Sequence, residues 1–250
     1  MSAVYPSVFA RFYDLIYDRI RSDIDSVYFL KKIADAGGPV LEVGTGTGRF
    51  FSKALEQRAD IYGIDISPAM LAILKTRIPP EDHRRVSVQD IRDFQLPIPF
   101  HLIVAPFRVF MHLTGVDDQL QALNHVCDNL ADGGTFIFDL YIPDPGLLAT
   151  GMKDVMDFEG EYEPGKVIRR FVSAENDLIN QVNHIKMRFE WEEGGQLQVE
   201  TWNSELRFFF RYELEYLLQR SKFRSYEFFG DYEGNPLNVA SKEFVIVCKK

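Results

Sequence analysis

Apolar runs and helix-like stretches alternate through the first half of this chain. After a helical lead-in over residues 7–36, buried-strand patterns recur near residues 40, 61, 86, 101 and 134, with helical periodicity between most of them. The first two, Val40-Leu41-Glu42-Val43 and Ile61-Tyr62-Gly63-Ile64, are almost continuously apolar, as strands covered on both faces are. Residues 49–58 read as the helix joining them. Residues 117–130 place Leu120, Leu123, Val126, Cys127 and Leu130 at the spacing of a helix with one buried face, which Gly133-Gly134 ends. Such alternation predicts a parallel sheet with helices on both sides.

From Tyr141 the period changes. Pro143-Asp144-Pro145-Gly146 breaks the alternation, and residues 155–210 read as antiparallel strands in which Ile185, Met187, Phe189 and Trp191 face one way and Lys186, Arg188 and Glu190 the other. Turns are expected at Asn176-Asp177 and at Glu193-Gly194-Gly195, separating strands 166–173, 178–192 and 196–210. A helix over 211–220 then leads to two last strands, 223–229 and 243–249. The loop between them holds Gly234, Asn235 and Pro236 and has no helical period. Those strands should pair antiparallel, because a parallel crossover needs about a dozen residues that usually form a helix. The expected fold is α/β and doubly wound, a mostly parallel seven-stranded sheet with an antiparallel last strand. Residues 1–145 and 211–250 would build it, and residues 146–210 would form an antiparallel β insertion.

The chemistry concentrates at the end of the first strand, where Glu42 interrupts the apolar run and Gly44, Gly46 and Gly48 follow. Glycines there let a ligand approach the backbone, and the helix that follows presents amide groups to an electron-rich ligand. A tight strand-to-helix turn would need the same glycines. Asp65 ends the second strand, 21 residues after Gly44, a spacing that returns a carboxylate to the ribose of a bound nucleoside. Ser67 with Pro68 offers the N-cap of the next helix, which leaves Asp65 for a ligand. Arg49 stands where a dinucleotide-binding turn needs a small residue, so a nicotinamide or flavin cofactor fits poorly.

The pattern E-x-G-x-G-x-G resembles the first motif of the class I S-adenosylmethionine-dependent methyltransferases, and later segments match in order. Asp65 resembles the acid of the second motif, Val88-Gln89-Asp90-Ile91 the third, residues 101–107 the fourth strand, and residues 130–140 the turn and fifth strand. The lead-in Phe12-Tyr13-Asp14-Leu15-Ile16-Tyr17 and the hairpins before the last helix are similar to the small-molecule branch that includes bacterial sugar N,N-dimethyltransferases. The resemblance implies S-adenosylmethionine as cofactor, held by Glu42, Gly44, Thr45, Gly46, Gly48, Asp65, Ile66, Met70, Asp90, Ile91 and Pro106. It also implies an insertion that helps close the acceptor pocket; a sheet of this kind serving a dimer contact is the lesser alternative.

For the reaction, Tyr13 matches an aromatic position whose hydroxyl faces cofactor or acceptor in the resembled enzymes; it also lies in a helical stripe with Phe9, Phe12, Ile16 and Tyr17 that would suit burial. His112 follows the fourth strand and could take a proton near neutral pH. Phe107 and Arg108 would contact the acceptor, Arg108 by pairing with an acidic group. No Pro-Pro-Tyr or Pro-Cys sequence supplies the clamps or nucleophile of base methylation, and the histidines show no ligand spacing for a metal.

Composition agrees with an enzyme of this size. The chain has 250 residues, 46% of them hydrophobic, enough for one sizeable core. With 37 acidic against 28 basic residues the net charge is −9, which disfavours nucleic acid as a partner. Two cysteines make no disulfide framework, the first residues are not a signal peptide, and no run approaches the roughly 20 apolar residues of a membrane span. A cytoplasmic methyltransferase acting on N or O of a small molecule is expected, with a homodimer left open. The alternative is a non-catalytic sensor of the same nucleoside.

Overall fold

The computed structural model describes residues 5–20 and 23–250. Residues 21 and 22 of the expected lead-in helix lie outside them, and the rest of that stretch is two helices, α1 (Ser7–Ile20) and α2 (Ile24–Ala34). Then follow β1 (Val40–Val43), α3 (Phe51–Glu56), β2 (Ile61–Asp65), α4 (Pro68–Lys75), β3 (Val86–Val88), β4 (Phe100–Ala105), α5 (Val116–Asn129) and β5 (Leu130–Tyr141). After α6 (Pro145–Thr150) come β6 (Met152–Glu163), β7 (Lys166–Asp177), β8 (Val182–Glu193) and β9 (Gln196–Arg207). The chain closes with α7 (Arg211–Gln219), β10 (Ser225–Phe229) and β11 (Glu243–Lys249).

The main sheet has the order β10-β11-β5-β4-β1-β2-β3. Its strands are parallel except β11, which runs antiparallel to both β5 and β10, in keeping with the helix-free loop before it. Because β2 and β4 flank β1, the order reverses beside β1, and the carboxyl ends of β1 and β4 diverge into a crevice. Every residue of β1 is buried. Leu41 and Val43 join the core under α5 and α7, while Val40 joins the core under α2, α3 and α4. A continuous apolar run is what a strand with two covered faces needs.

The insertion is a four-stranded antiparallel sheet in the order β6-β7-β8-β9. Its inward side chains, among them Phe158, Ile168, Phe189, Trp191 and Trp202, pack with Phe9, Phe12 and Ile16 of α1 and Met70 of α4. The helix α1 is therefore wedged between the insertion and the main domain. One expected turn is displaced. Asn176 and Asp177 continue β7, and the chain reverses at residues 178–181, where Asp177 Oδ1 accepts from the Ile179 and Asn180 amides. The Asp is a turn signal, but it acts on the residues after it. Gly194 and Gly195, both at positive φ, do make the tight β8–β9 turn. The helix expected from Arg49 begins instead at Phe51, after a loop that Gly48 closes. The helix expected over 117–130 ends at Asn129, with Gly133 at positive φ inside β5.

Candidate active site

The crevice at the carboxyl ends of β1, β2 and β4 is lined by Tyr5, Tyr13, Glu42 to Thr47, Arg49, Asp65, Ile66, Met70, Asp90, Ile91, Pro106, Phe107, Val109, His112 and neighbours. The three glycines do different work. A Cβ on Gly44 would lie 2.3 Å from Val109 Cγ2, so the loop after β4 packs directly on the turn. One on Gly48 would lie 2.3 Å from Leu74 Cδ1 of α4, and Gly48 does not line the cleft. Gly46 meets nothing closer than 3.9 Å; the space beside it belongs to the cleft.

Three carboxylates of different character meet here. Glu42 is fully buried, and among the described residues neither of its oxygens has a hydrogen-bond partner. Burial first, and the charge of Asp65 second, push its carboxyl well above the ordinary range. An unpartnered acid in this position is costly unless a ligand supplies a donor or a positive charge. Asp65 is also buried, but its Oδ1 accepts from the Ser67 amide at 2.7 Å and its Oδ2 from the Gly46 amide at 2.9 Å. Ser67 does cap α4, accepting from Met70. Asp65 nonetheless has structural work of its own: it pins the glycine turn, and only its remaining lone pairs can meet a ligand. Asp90 is ion-paired with Arg92, whose second arm reaches Asp118. Burial alone would raise the Asp90 carboxyl, and the hydrogen bonds and charge of Arg92 outweigh it and hold it below its ordinary value.

At the other end of the cleft stand the aromatic residues. In α1 the Phe9, Phe12 and Ile16 face is buried against the insertion, while Tyr13 turns to the cleft, its ring 4.5 Å from that of Tyr17 and tilted 41° to it. His112 Nε2 shares a hydrogen bond of 2.9 Å with the Tyr5 hydroxyl, and burial pushes its imidazole down to about 4. It is a neutral hydrogen-bonding group here, a much weaker base than an exposed imidazole. His112 and Thr114 also border a second cavity under the insertion, about 880 Å³, floored by Ala174, Ile185 and Ser204 with Met152 and Lys153 at its rim. Pro106 and Phe107 line the cleft. Arg108 does not; its guanidinium is bound to Glu243, 135 residues further along the chain.

Several cleft residues escape sequence reasoning. Tyr5 precedes the aromatic stripe and shows no pattern of its own. Arg49 lines the cleft with its guanidinium clamped by Asp25 and Ser26 of α2, a pairing invisible without the fold. Thr47 donates to Asp14 of α1 at 2.6 Å, and Arg77 bonds both the Asp14 carboxylate and the Thr47 carbonyl. The Tyr13-Asp14 pair of the lead-in was the only signal: its Asp fastens α1 to the glycine loop.

Comparison with known proteins agrees with this geometry. Residues 41–136 match the family described as a methyltransferase domain. An uncharacterised methyltransferase of Bacillus cereus is 30% identical over 134 residues, 54% of this chain and 55% of that protein. The chain thus spans about half the length of the curated relatives it matches. The crystal structure of an S-adenosylmethionine-dependent methyltransferase from Clostridium acetobutylicum superposes with a TM-score of 0.74 at 18% identity, covering 97% of both chains. A sugar N-methyltransferase from Streptoalloteichus superposes with a TM-score of 0.76 at 17% identity, over 100% of this chain and 97% of that one. The chain therefore has the fold of the class I methyltransferases, and its residues 41–136 are similar to a methyltransferase domain.

Proposed function

We propose that this chain binds S-adenosylmethionine in the cleft and transfers its methyl group to a nitrogen or oxygen of a small molecule held under the insertion. The observation that carries the reading is Glu42, a buried carboxyl with no hydrogen-bond partner among the described residues, lining the cleft at the glycine turn. A ligand bearing ammonium and sulfonium charges suits that vacancy in hydrogen bonding, whereas an anionic pyrophosphate does not. Asp65 would take the ribose hydroxyls, Asp90 with Ile91 and Ile66 the adenine, and the turn at 44–46 the amino-acid end.

The bound cofactor supplies an electrophilic methyl group on a sulfonium, whose thioether leaves neutral. The protein's share is placement, which for two reactants held in line contributes about 7 to 11 kcal/mol. Tyr13, Pro106 and Phe107 line the cleft, and His112 and Thr114 border both it and the second cavity. His112 and Tyr5 offer one neutral hydrogen-bonding pair at that border. With the imidazole near 4, an acceptor nitrogen should arrive unprotonated or lose its proton to water. The mixed polar and aliphatic lining of the second cavity, with Ser204, Asn203 and Glu175, suits a hydroxylated small molecule, and the likeness in fold to a sugar N-methyltransferase supports this choice.

Calorimetric titration with S-adenosylhomocysteine and with NAD tests the reading. Saturable binding of the first and none of the second is expected; the reverse would replace it with a dinucleotide enzyme.

A further inference from the structure

The loop after β4 carries two consecutive non-glycine residues in the left-handed region, Phe107 at φ 61° and Arg108 at φ 64°. L-residues adopt that conformation only where surrounding contacts outweigh its cost. The contacts come from the far end of the chain. Arg108 Nη2 donates to Glu243 Oε1 at 2.7 Å, and the Arg108 amide reaches Asp139 Oδ1 at 3.4 Å. Asp139 is fixed in turn by the Tyr232 hydroxyl at 2.8 Å. Glu243 is held in place because β11 pairs it with Tyr141, and the Ile142 amide bonds the Lys242 carbonyl beside it. The guanidinium then lies 5.5 Å from the centre of the Phe107 ring and 5.6 Å from that of Tyr141. On its other flank the Phe107 ring meets the edge of Tyr17, 5.7 Å away, and Arg170 of the insertion sits over Tyr17 at 5.0 Å. Phe107 lines the cleft, and neither Arg108 nor Glu243 does.

We propose that Glu243, at the head of the last strand and outside the cleft, is a positioning residue for methyl transfer: through Arg108 it holds the Phe107 ring in the cleft wall. This rests on the methyltransferase reading above. Removing the carboxylate takes the hydrogen-bonded counter-charge from a half-buried guanidinium, leaving only Asp139 nearby, and residue 108 loses the contact that favours its left-handed backbone. The ring of Phe107 would then leave the wall although nothing in the cleft itself had been altered.

The test is a double-mutant cycle read by calorimetric affinity for S-adenosylhomocysteine, with circular dichroism confirming the fold of each variant. Glu243→Gln should weaken binding at least fivefold, and Phe107→Ala by a similar factor. In the Phe107→Ala background, Glu243→Gln should cost less than a further twofold. Should Glu243→Gln fail to fold, Glu243→Asp, which keeps the charge but shortens the reach, takes its place with the same expectations. Native-like affinity in the Glu243 variant, or equal losses in both backgrounds, would overturn the proposal. A native chain that does not bind S-adenosylhomocysteine would instead overturn the functional reading on which it rests.

Discussion

The imidazole of His112 lies deep enough that its proton affinity falls to about 4, and the Tyr5 hydroxyl already engages its Nε2. The folded value lies below the ordinary 6.5, so the neutral ring stabilises the fold above pH 6.5. As pH falls from 6.5 towards 4 the unfolded chain takes a proton that the folded chain refuses, and about 3 kcal/mol of stability is lost across that window. Denaturant unfolding at pH 7 and pH 4.5 should show a smaller acid loss for His112→Gln than for the native chain; equal losses would place the imidazole in a wetter setting. Asp65 behaves differently because both its oxygens already accept backbone amides, Oδ2 that of Gly46 in the glycine turn and Oδ1 that of Ser67 before α4. Asp65→Ala should weaken S-adenosylhomocysteine binding by about 1 to 3 kcal/mol, from lost hydrogen bonds to the ligand and a loosened turn. Unchanged affinity by calorimetry would remove Asp65 from the site. The sequence showed Glu42 and Asp65 at strand ends, but neither the solitude of the first nor the double duty of the second has a local signature.

Among elements, the glycine turn separates structure from ligand. Gly48→Ala forces a Cβ at φ 94° against the fully buried Leu74, and should destabilise the chain by about 1 to 3 kcal/mol. Gly46→Ala shares the backbone strain, at φ 58°, but its Cβ meets no protein atom closer than 3.9 Å and points into the cleft, so beside a smaller loss of stability its larger effect should fall on ligand affinity. Thermal melts beside calorimetric titrations would show the division, and the opposite pattern would mean that the cleft lies elsewhere on the turn. Strand positions were legible because each parallel strand is an apolar run between breakers. The β7–β8 turn was misplaced by a few residues, because the alternation of side chains continues through Asn176 and Asp177 and only cross-strand register fixes where the chain reverses.

At the scale of the molecule, α1 joins the insertion to the cleft at the glycine turn. Its buried face shares one cluster with Phe189, Trp191 and Trp202, and Asp14 on the same helix ties it to the glycine loop. Truncation of the fully buried Phe189 to Ala should cost about 3 to 5 kcal/mol in denaturant unfolding through the cavity it leaves, and a loss below 1 kcal/mol would mean that the sheet packs loosely on the helix. Long-range pairs such as Arg108 with Glu243 and Arg49 with Asp25 were not legible, since no periodicity joins residues so far apart in sequence. For that reason Arg108, which sequence reasoning places on the acceptor, is found bound to the last strand. The local motifs pointed to a nucleoside ligand and the net charge of −9 away from nucleic acid; the fold alone brought Tyr5 to His112.

The most direct test is a crystal structure of the chain with S-adenosylhomocysteine. Density for the nucleoside between Asp65 and Asp90, with the amino-acid end against Glu42 and the thioether turned toward Tyr13 and Phe107, is the predicted result. An empty cleft under saturating ligand, or density at another surface, would contradict the account.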